Sequence, residues 1–212
     1  MIFYRVVRVV VAGLARLLFR IQIVGAERVP ATGPFVIAPS HRSLLDAFFA
    51  ALITPRRVRF MAKEEIWKVK FLGRLVEKLG AFPVARGAAD RAALRNAMAC
   101  VEDGEPLVIF PEGTRRTGPA VTDLHDGAAY VAARHGVPIV PVGIAGSEEI
   151  LAKGRKIPRL HRVVLVVGEA IEAPTRPEGG GAVPRSAVRA LTATIEIALQ
   201  RSFDEARSYR EH

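Results

Sequence analysis

The chain has 212 residues, half of them hydrophobic and a quarter charged. That length carries one domain with a large core, and that composition excludes a disordered chain. A formal charge of +10 calls for an anionic partner, but aromatic residues make up only 7% and are not interleaved with the arginines, which argues against a stacking platform for nucleic acid.

Met1 to Arg20 opens the chain with MIFYRVVRVVVAGLARLLFR, whose longest uncharged stretch, Val9 to Ala15, is far shorter than the ~20 residues needed to cross a bilayer. At ~100° per residue, Arg5, Arg8, Arg16 and Arg20 fall on one arc, and Phe3, Val6, Val7, Val10, Val11, Leu14, Leu17 and Leu18 fall on the other side. Residues 1–20 are therefore expected to form a basic amphipathic helix at an acidic membrane surface, or else a terminal helix packed on the domain. Arginines that recur after the apolar run argue against a cleaved signal.

Ile21 to Val24 alternates as a short strand, Pro30 to Pro34 is a turn, and Phe35-Val36-Ile37-Ala38 reads as a buried strand. The next segment, Pro39-Ser40-His41-Arg42-Ser43-Leu44-Leu45-Asp46, sets a histidine and a carboxylate five residues apart. Within one helix that spacing would point them about 140° apart, so the two meet only if His41 precedes the helix. Pro39 and the N-capping character of Ser43 predict that arrangement, with a helix from Ser43 to about Ile53. Two readings follow: His41 as a general base oriented by Asp46, or Asp46 as the acidic end of a capping box with His41 an ordinary loop residue.

Val58 to Ala62 is the next predicted strand and delivers Lys63 at its exit, before a helical stretch at Lys63 to Trp67. Gly80 to Gly87 reads as a short strand ending in Arg86, which either forks onto a phosphate or is simply solvated. Asp90 to Asp103 is a predicted helix closed by Gly104, with the single cysteine, Cys100, packed in it; one cysteine excludes an internal disulfide.

Pro106 to Phe110 is an apolar strand suited to a sheet covered on both faces, and it runs into Pro111-Glu112-Gly113-Thr114-Arg115-Arg116-Thr117. Loops at the carboxyl ends of such strands are where α/β folds place their sites. A helix from about Asp126 to His135 follows, then a strand from Val137 to Ile144 whose prolines predict an edge or irregular pairing. His125, His135, His161 and His212 lack partners at metal-ligand spacing and are read as surface residues. Val163 to Val167 is the last predicted strand, residues 174–184 a glycine-rich linker, and Arg185 to Arg210 a closing amphipathic helix. Gly-x-x-x-x-Gly-Lys and Gly-x-Ser-x-Gly turns are absent from the sequence. The alternation predicts a three-layer α/β sandwich, a mixed sheet of about seven strands flanked by helices, in a single domain from 21 to 212.

His41-x-x-x-x-Asp46, Gly80 to Arg86, Phe110-Pro111-Glu112-Gly113-Thr114-Arg115 and Val137-Pro138-Ile139-Val140-Pro141-Val142 resemble, in order and spacing, the four blocks of the glycerophospholipid acyltransferases, the 1-acylglycerol-3-phosphate type above all. The resemblance covers about Val24 to Ile171. It implies an EC 2.3.1 enzyme that moves a fatty acyl group from coenzyme A or acyl carrier protein to the free hydroxyl of a lysophospholipid, at the cytoplasmic face of a membrane. No metal and no cofactor are implied. It places the catalytic pair on His41 and Asp46, and substrate binding on Lys63, Arg86, Glu112, Gly113, Thr114 and Arg115. Two departures are Ser40, where the family often has Asn, and His125-Asp126 ahead of Gly127, where a basic residue is frequent. Glycerol 3-phosphate and other lyso-lipids are alternative acceptors. The rival activities are an esterase or thioesterase with Ser147 as nucleophile, and a basic membrane adaptor without catalysis.

Overall fold

The computed structural model describes residues 2–84, 91–150, 159–174 and 182–211, and within them no side-chain placement for 2–8, 11, 63 and 91. The strands are β1 (Gln22–Val24), β2 (Val36–Pro39), β3 (Arg59–Lys63), β4 (Ala81–Val84), β5 (Leu107–Val108), β6 (Ile139–Ala145) and β7 (Val164–Val167). The helices are α1 (Ile2–Phe19), α2 (Asp46–Ala50), α3 (Lys70–Lys78), α4 (Arg91–Glu102), α5 (Gly127–His135), α6 (Ser147–Ile150) and α7 (Arg185–Glu211). All seven strands join one sheet in the order β1-β7-β6-β2-β5-β3-β4. The pairing is parallel except between β6 and β7, so the sheet is mixed, as expected from the sequence.

Handedness sorts the helices into layers. The connections from β2 to β3 and from β3 to β4 step in one direction across the sheet, and those from β4 to β5 and from β5 to β6 step back. Right-handed crossovers therefore put α2 and α3 on one face and α4 and α5 on the other. The side chains agree: Phe35 and Ile37 pack with Phe49 and Ala50 of α2, whereas Val36 and Ala38 pack with Ala97 of α4 and Ala129 of α5. The alternation along β2 is the period-two signature of a strand covered on both sides.

α1 lies on the α2 face, with Ala12 in the same cluster and Phe19 edge-on to Phe49 at 5.7 Å between ring centres. α7 covers the opposite face over β6 and β7, where Leu199, Phe203 and Ala206 meet Val164 and Val166. Its backbone comes so close that a Cβ on Gly143 would stand 2.1 Å from the Ser202 carbonyl oxygen. A glycine in β6 is what lets the helix settle on the sheet.

Three expectations are corrected. The strand rich in proline is central, not an edge, since β6 pairs with β2 on one side and β7 on the other. Pro141 is tolerated because its nitrogen turns toward the β7 side just where that strand has stopped at Val167; the Pro141 carbonyl still accepts from the Gly168 N–H at 2.9 Å. The helix after His41 begins at Asp46 rather than Ser43 and runs only to Ala50, followed by a 3-10 turn over Ala51–Ile53. Ser43 to Leu45 instead forms a tight turn, because the Asp46 carboxylate gathers the N–H groups of Arg42 and Ser43. His135 is half-buried, not a surface residue, and its Nε2 lies 4.0 Å from Glu102. Most of the glycine-rich linker, residues 175–181, lies outside the described residues.

Candidate active site

The site forms where β2 and β5 end side by side. Pro39 is the last residue of β2, and the chain then bends through Ser40, His41 and Arg42. Ser40 is fully buried and ties this bend to β6, its Oγ accepting from the Ile144 N–H at 2.9 Å. An oxygen of serine thus does structural work at the position where the related block often carries an amide.

His41 Nδ1 stands 3.0 Å from Asp46 Oδ2, and the same oxygen accepts the N–H groups of Arg42 and Ser43, each at 2.6 Å. The two readings of the sequence therefore describe one atom: Asp46 closes the turn as a cap and also holds the imidazole. A carboxylate only accepts, so Nδ1 is the donor in this contact. The ring is further fixed by stacking on Phe110, at 4.0 Å between centres and 26° between planes. Its side chain is 17% exposed, so the ring is not sealed in the core.

Behind the imidazole lies a buried ion pair. Glu112, 0% exposed, accepts from Arg42 Nη1 at 2.7 and 2.8 Å and from the backbone N–H of His41 at 2.7 Å. Arg42 also donates to the carbonyls of His41 and Ala120, at 3.0 and 2.9 Å, and lies over the Phe203 ring of α7 at 4.7 Å. The family resemblance implies substrate binding for Glu112. In the structure both its oxygens are occupied by Arg42 and His41, so it acts as a clamp. Arg42 itself was missed; the available signal was a charged residue beside His41 in an otherwise apolar stretch.

The turn after β5 is joined to the histidine a second time, since the Arg116 N–H donates to the His41 carbonyl at 2.9 Å. Gly113 sits in this turn at φ +64°, with the His125 ring where its Cβ would be, 2.6 Å from Cδ2. Thr114 is exposed and Arg115 half-exposed. Among the described residues no carboxylate pairs with Arg115, which lines a cavity of about 480 Å³ with Arg116, Arg207 and Arg210. Arg42 and Phe203 of α7 also line that cavity. Lys63 ends β3, its side chain undescribed, and Arg86 lies outside the described residues. Ser147 is fully buried, and among the described residues its Oγ has no hydrogen-bond partner, which leaves it no access to a substrate as a nucleophile. Among the described residues no group of three or more His, Cys, Asp or Glu could hold a metal ion.

Fold and site together define an α/β protein in which an imidazole held by a carboxylate lies at the carboxyl edge of parallel strands, where such folds place their sites. The chain belongs to the Acyltransferase family, whose model matches residues 20–145. It is 28% identical over 152 residues to the 1-acyl-sn-glycerol-3-phosphate acyltransferase of Bacillus subtilis, covering 71% of this chain and 73% of that protein. A chloroplastic 1-acyl-sn-glycerol-3-phosphate acyltransferase of Brassica napus is 29% identical over 139 residues, covering 64% of this chain but only 40% of the plant protein. The crystal structure of the 1-acyl-sn-glycerophosphate acyltransferase of Thermotoga maritima superposes with a TM-score of 0.73 at 25% identity, over 94% of this chain and 81% of that one. The chain is accordingly an acyltransferase, with the fold of that crystal structure.

Proposed function

We propose that the chain transfers a fatty acyl group from a thioester of coenzyme A or acyl carrier protein to the free hydroxyl of 1-acylglycerol 3-phosphate, giving phosphatidic acid. The observation that carries this reading is the His41 and Asp46 pair, 3.0 Å apart, bonded through its backbone to the Glu112 to Arg116 turn. His41 Nε2 takes the proton of the acceptor hydroxyl as its oxygen attacks the thioester carbonyl. A C–O ester bond forms, the C–S bond breaks, and the imidazolium returns the proton to the departing thiolate. Asp46 stabilises the imidazolium while it exists. General-base help of this kind supplies roughly 10²- to 10⁴-fold, and positioning of the two substrates supplies much of the rest.

Arg115, for which no carboxylate partner stands among the described residues, is assigned to the acceptor phosphate together with Lys63 and Arg86. Gly113 and Thr114 shape the turn that presents it. Acceptor and donor both carry long acyl chains, so the reaction belongs at a lipid surface, on the cytoplasmic face where acyl thioesters are found. α1 supports this: Ala12, Ala15 and Phe19 pack on the domain, whereas Val10, Leu14 and Leu17 are exposed, Leu17 by 77%. Among the described residues no helix is long and apolar enough to cross a membrane.

The test is to incubate purified protein with an acyl thioester and a panel of acceptors that includes 1-acylglycerol 3-phosphate, glycerol 3-phosphate and other lysophospholipids, with products read by mass spectrometry. Phosphatidic acid is expected from the first acceptor, and at least about 10²-fold less from His41→Ala, with the melting temperature kept. Equal turnover by that variant, or free fatty acid as the product, refutes the proposal.

A further inference from the structure

The most exposed large aromatic side chain among the described residues is Phe71, 78% accessible at the start of α3. Val69 just before it is 58% exposed and Leu72 just after it 41%. Along the helix, Phe71, Leu72, Leu75 and Val76 fall within one arc of about 140°, and Lys70, Arg74, Glu77 and Lys78 fill the rest. An arc that wide normally faces a core. Here it does not, and the reason is Gly73.

Gly73 packs against Trp67 in the 3-10 turn of Glu64–Lys68, so closely that a Cβ would stand 2.9 Å from Trp67 Cα. Gly73 lies about 160° round the helix from Phe71. The contact that docks α3 onto the domain therefore turns its apolar arc outward, with Leu75 and Val76 half-buried at the margin and Phe71 and Leu72 in the open.

We infer that α3 is a second lipid-contacting element, which seats Phe71, Leu72 and Val69 in the headgroup layer of an anionic membrane beside α1. Two observations select lipid over a protein partner. Lys68, Lys70, Arg74 and Lys78 surround the apolar residues against a single acid, Glu77, within residues 68–78, and all five are exposed. Lysine is depleted at protein interfaces, but beside an apolar stripe it suits an anionic bilayer surface. The patch is also continuous in orientation with α1, because right-handed crossovers place α2 and α3 on the face of the sheet that carries α1. Leu44, 58% exposed in the turn between His41 and α2, adds an apolar group beside the catalytic histidine. The inference deepens the reading of the chain as an enzyme working at a lipid surface and rests on it. Two separated contacts fix the angle of the domain on the bilayer, whereas α1 alone would leave it free to tilt about one helix.

The experiment uses the full chain and sedimentation with vesicles of phosphatidylcholine, alone or with equal phosphatidylglycerol. The chain is expected to bind the mixed vesicles, and the double variant Phe71→Ser, Leu72→Ser at least about tenfold more weakly. Its circular dichroism and its turnover of a water-soluble short-chain acceptor should be unchanged. In parallel, Phe71→Cys carrying a polarity-sensitive fluorophore should blue-shift on the mixed vesicles, Cys100 being buried and out of reach of the label. Equal partition by the double variant, or a label whose spectrum does not move, overturns the proposal. So does a lipid-free dimer that the double variant dissolves, since that assigns the patch to a second copy of the chain. Loss of all transfer by the unaltered chain would instead count against the acyltransferase chemistry, with the vesicle data still judging α3.

Discussion

Glu112→Gln isolates the clamp behind the imidazole. The substitution keeps the shape of the side chain, and its amide oxygen can still accept the His41 N–H. The new NH2 group, however, takes the Oε1 position and meets Arg42 Nη1 donor to donor, where a contact of 2.7 Å now exists. Arg42 and Glu112 are 2% and 0% exposed, so the guanidinium is left buried without its counter-charge. Breaking a buried pair in this way costs about 3–5 kcal/mol, a large part of the ~5–15 kcal/mol by which domains are stable. Arg42→Met removes the same pair and two carbonyl contacts. The double variant Arg42→Met, Glu112→Gln removes both charges, so it should recover much of the stability lost by Glu112→Gln. Activity should not return with it, because the His41 carbonyl has lost one of its two donors and the bend its buried support. Urea unfolding of the four proteins gives the coupling energy, and initial rates below every melting point give the activity. A coupling below about 0.5 kcal/mol would refute the clamp. So would a Glu112→Gln enzyme that keeps its stability and loses only acceptor affinity, since Glu112 would then be a substrate ligand.

Asp46→Asn should lower kcat by about 10²-fold or more, because a neutral amide cannot stabilise the imidazolium, and should lower stability by roughly 1–3 kcal/mol, since two short N–H contacts lose their charged acceptor; steady-state rates and urea curves read both. Gly143→Ala should unfold the protein or shift α7, as its Cβ meets the backbone of Ser202 rather than a yielding side chain, and limited proteolysis of α7 would report it. Burial pushes the Cys100 thiol above its ordinary pKa. The folded chain therefore keeps a proton that the unfolded chain loses as pH rises past the ordinary thiol value, and stability from this group is intact below that pH and falls above it. A thiol reagent at pH 8 should react with Cys100 only as fast as the protein unfolds.

The parts of the site that were legible in the sequence are the local ones. His41 and Asp46 are five residues apart, and a proline and a capping pattern between strand and helix were enough to predict that they meet. The clamp was not legible, because Arg42 and Glu112 are 70 residues apart in the chain and nothing in either neighbourhood says that the two ends of β2 and β5 lie together. Phe110 read as the end of a strand; its stacking on the imidazole depends on the same adjacency. The sheet itself was legible from alternating apolar runs, while the place of β6 within it was misread from its prolines. Whether proline breaks a strand depends on which neighbour its nitrogen faces, and that is a property of the sheet rather than of the segment. The outward turn of α3 was equally hidden, since it follows from one glycine meeting one tryptophan.

His41 and Arg42 are neighbours in the chain; the imidazole stacks on Phe110 at the end of β5, and the guanidinium reaches Phe203 in the layer of α7. A single peptide unit thus couples the imidazole to the last helix, and slack in that helix is felt at the ring. Substitutions along the last helix can make that imidazole steadier or looser without touching the residues around it. Adaptation of this catalyst to heat or cold has a lever remote from its chemistry.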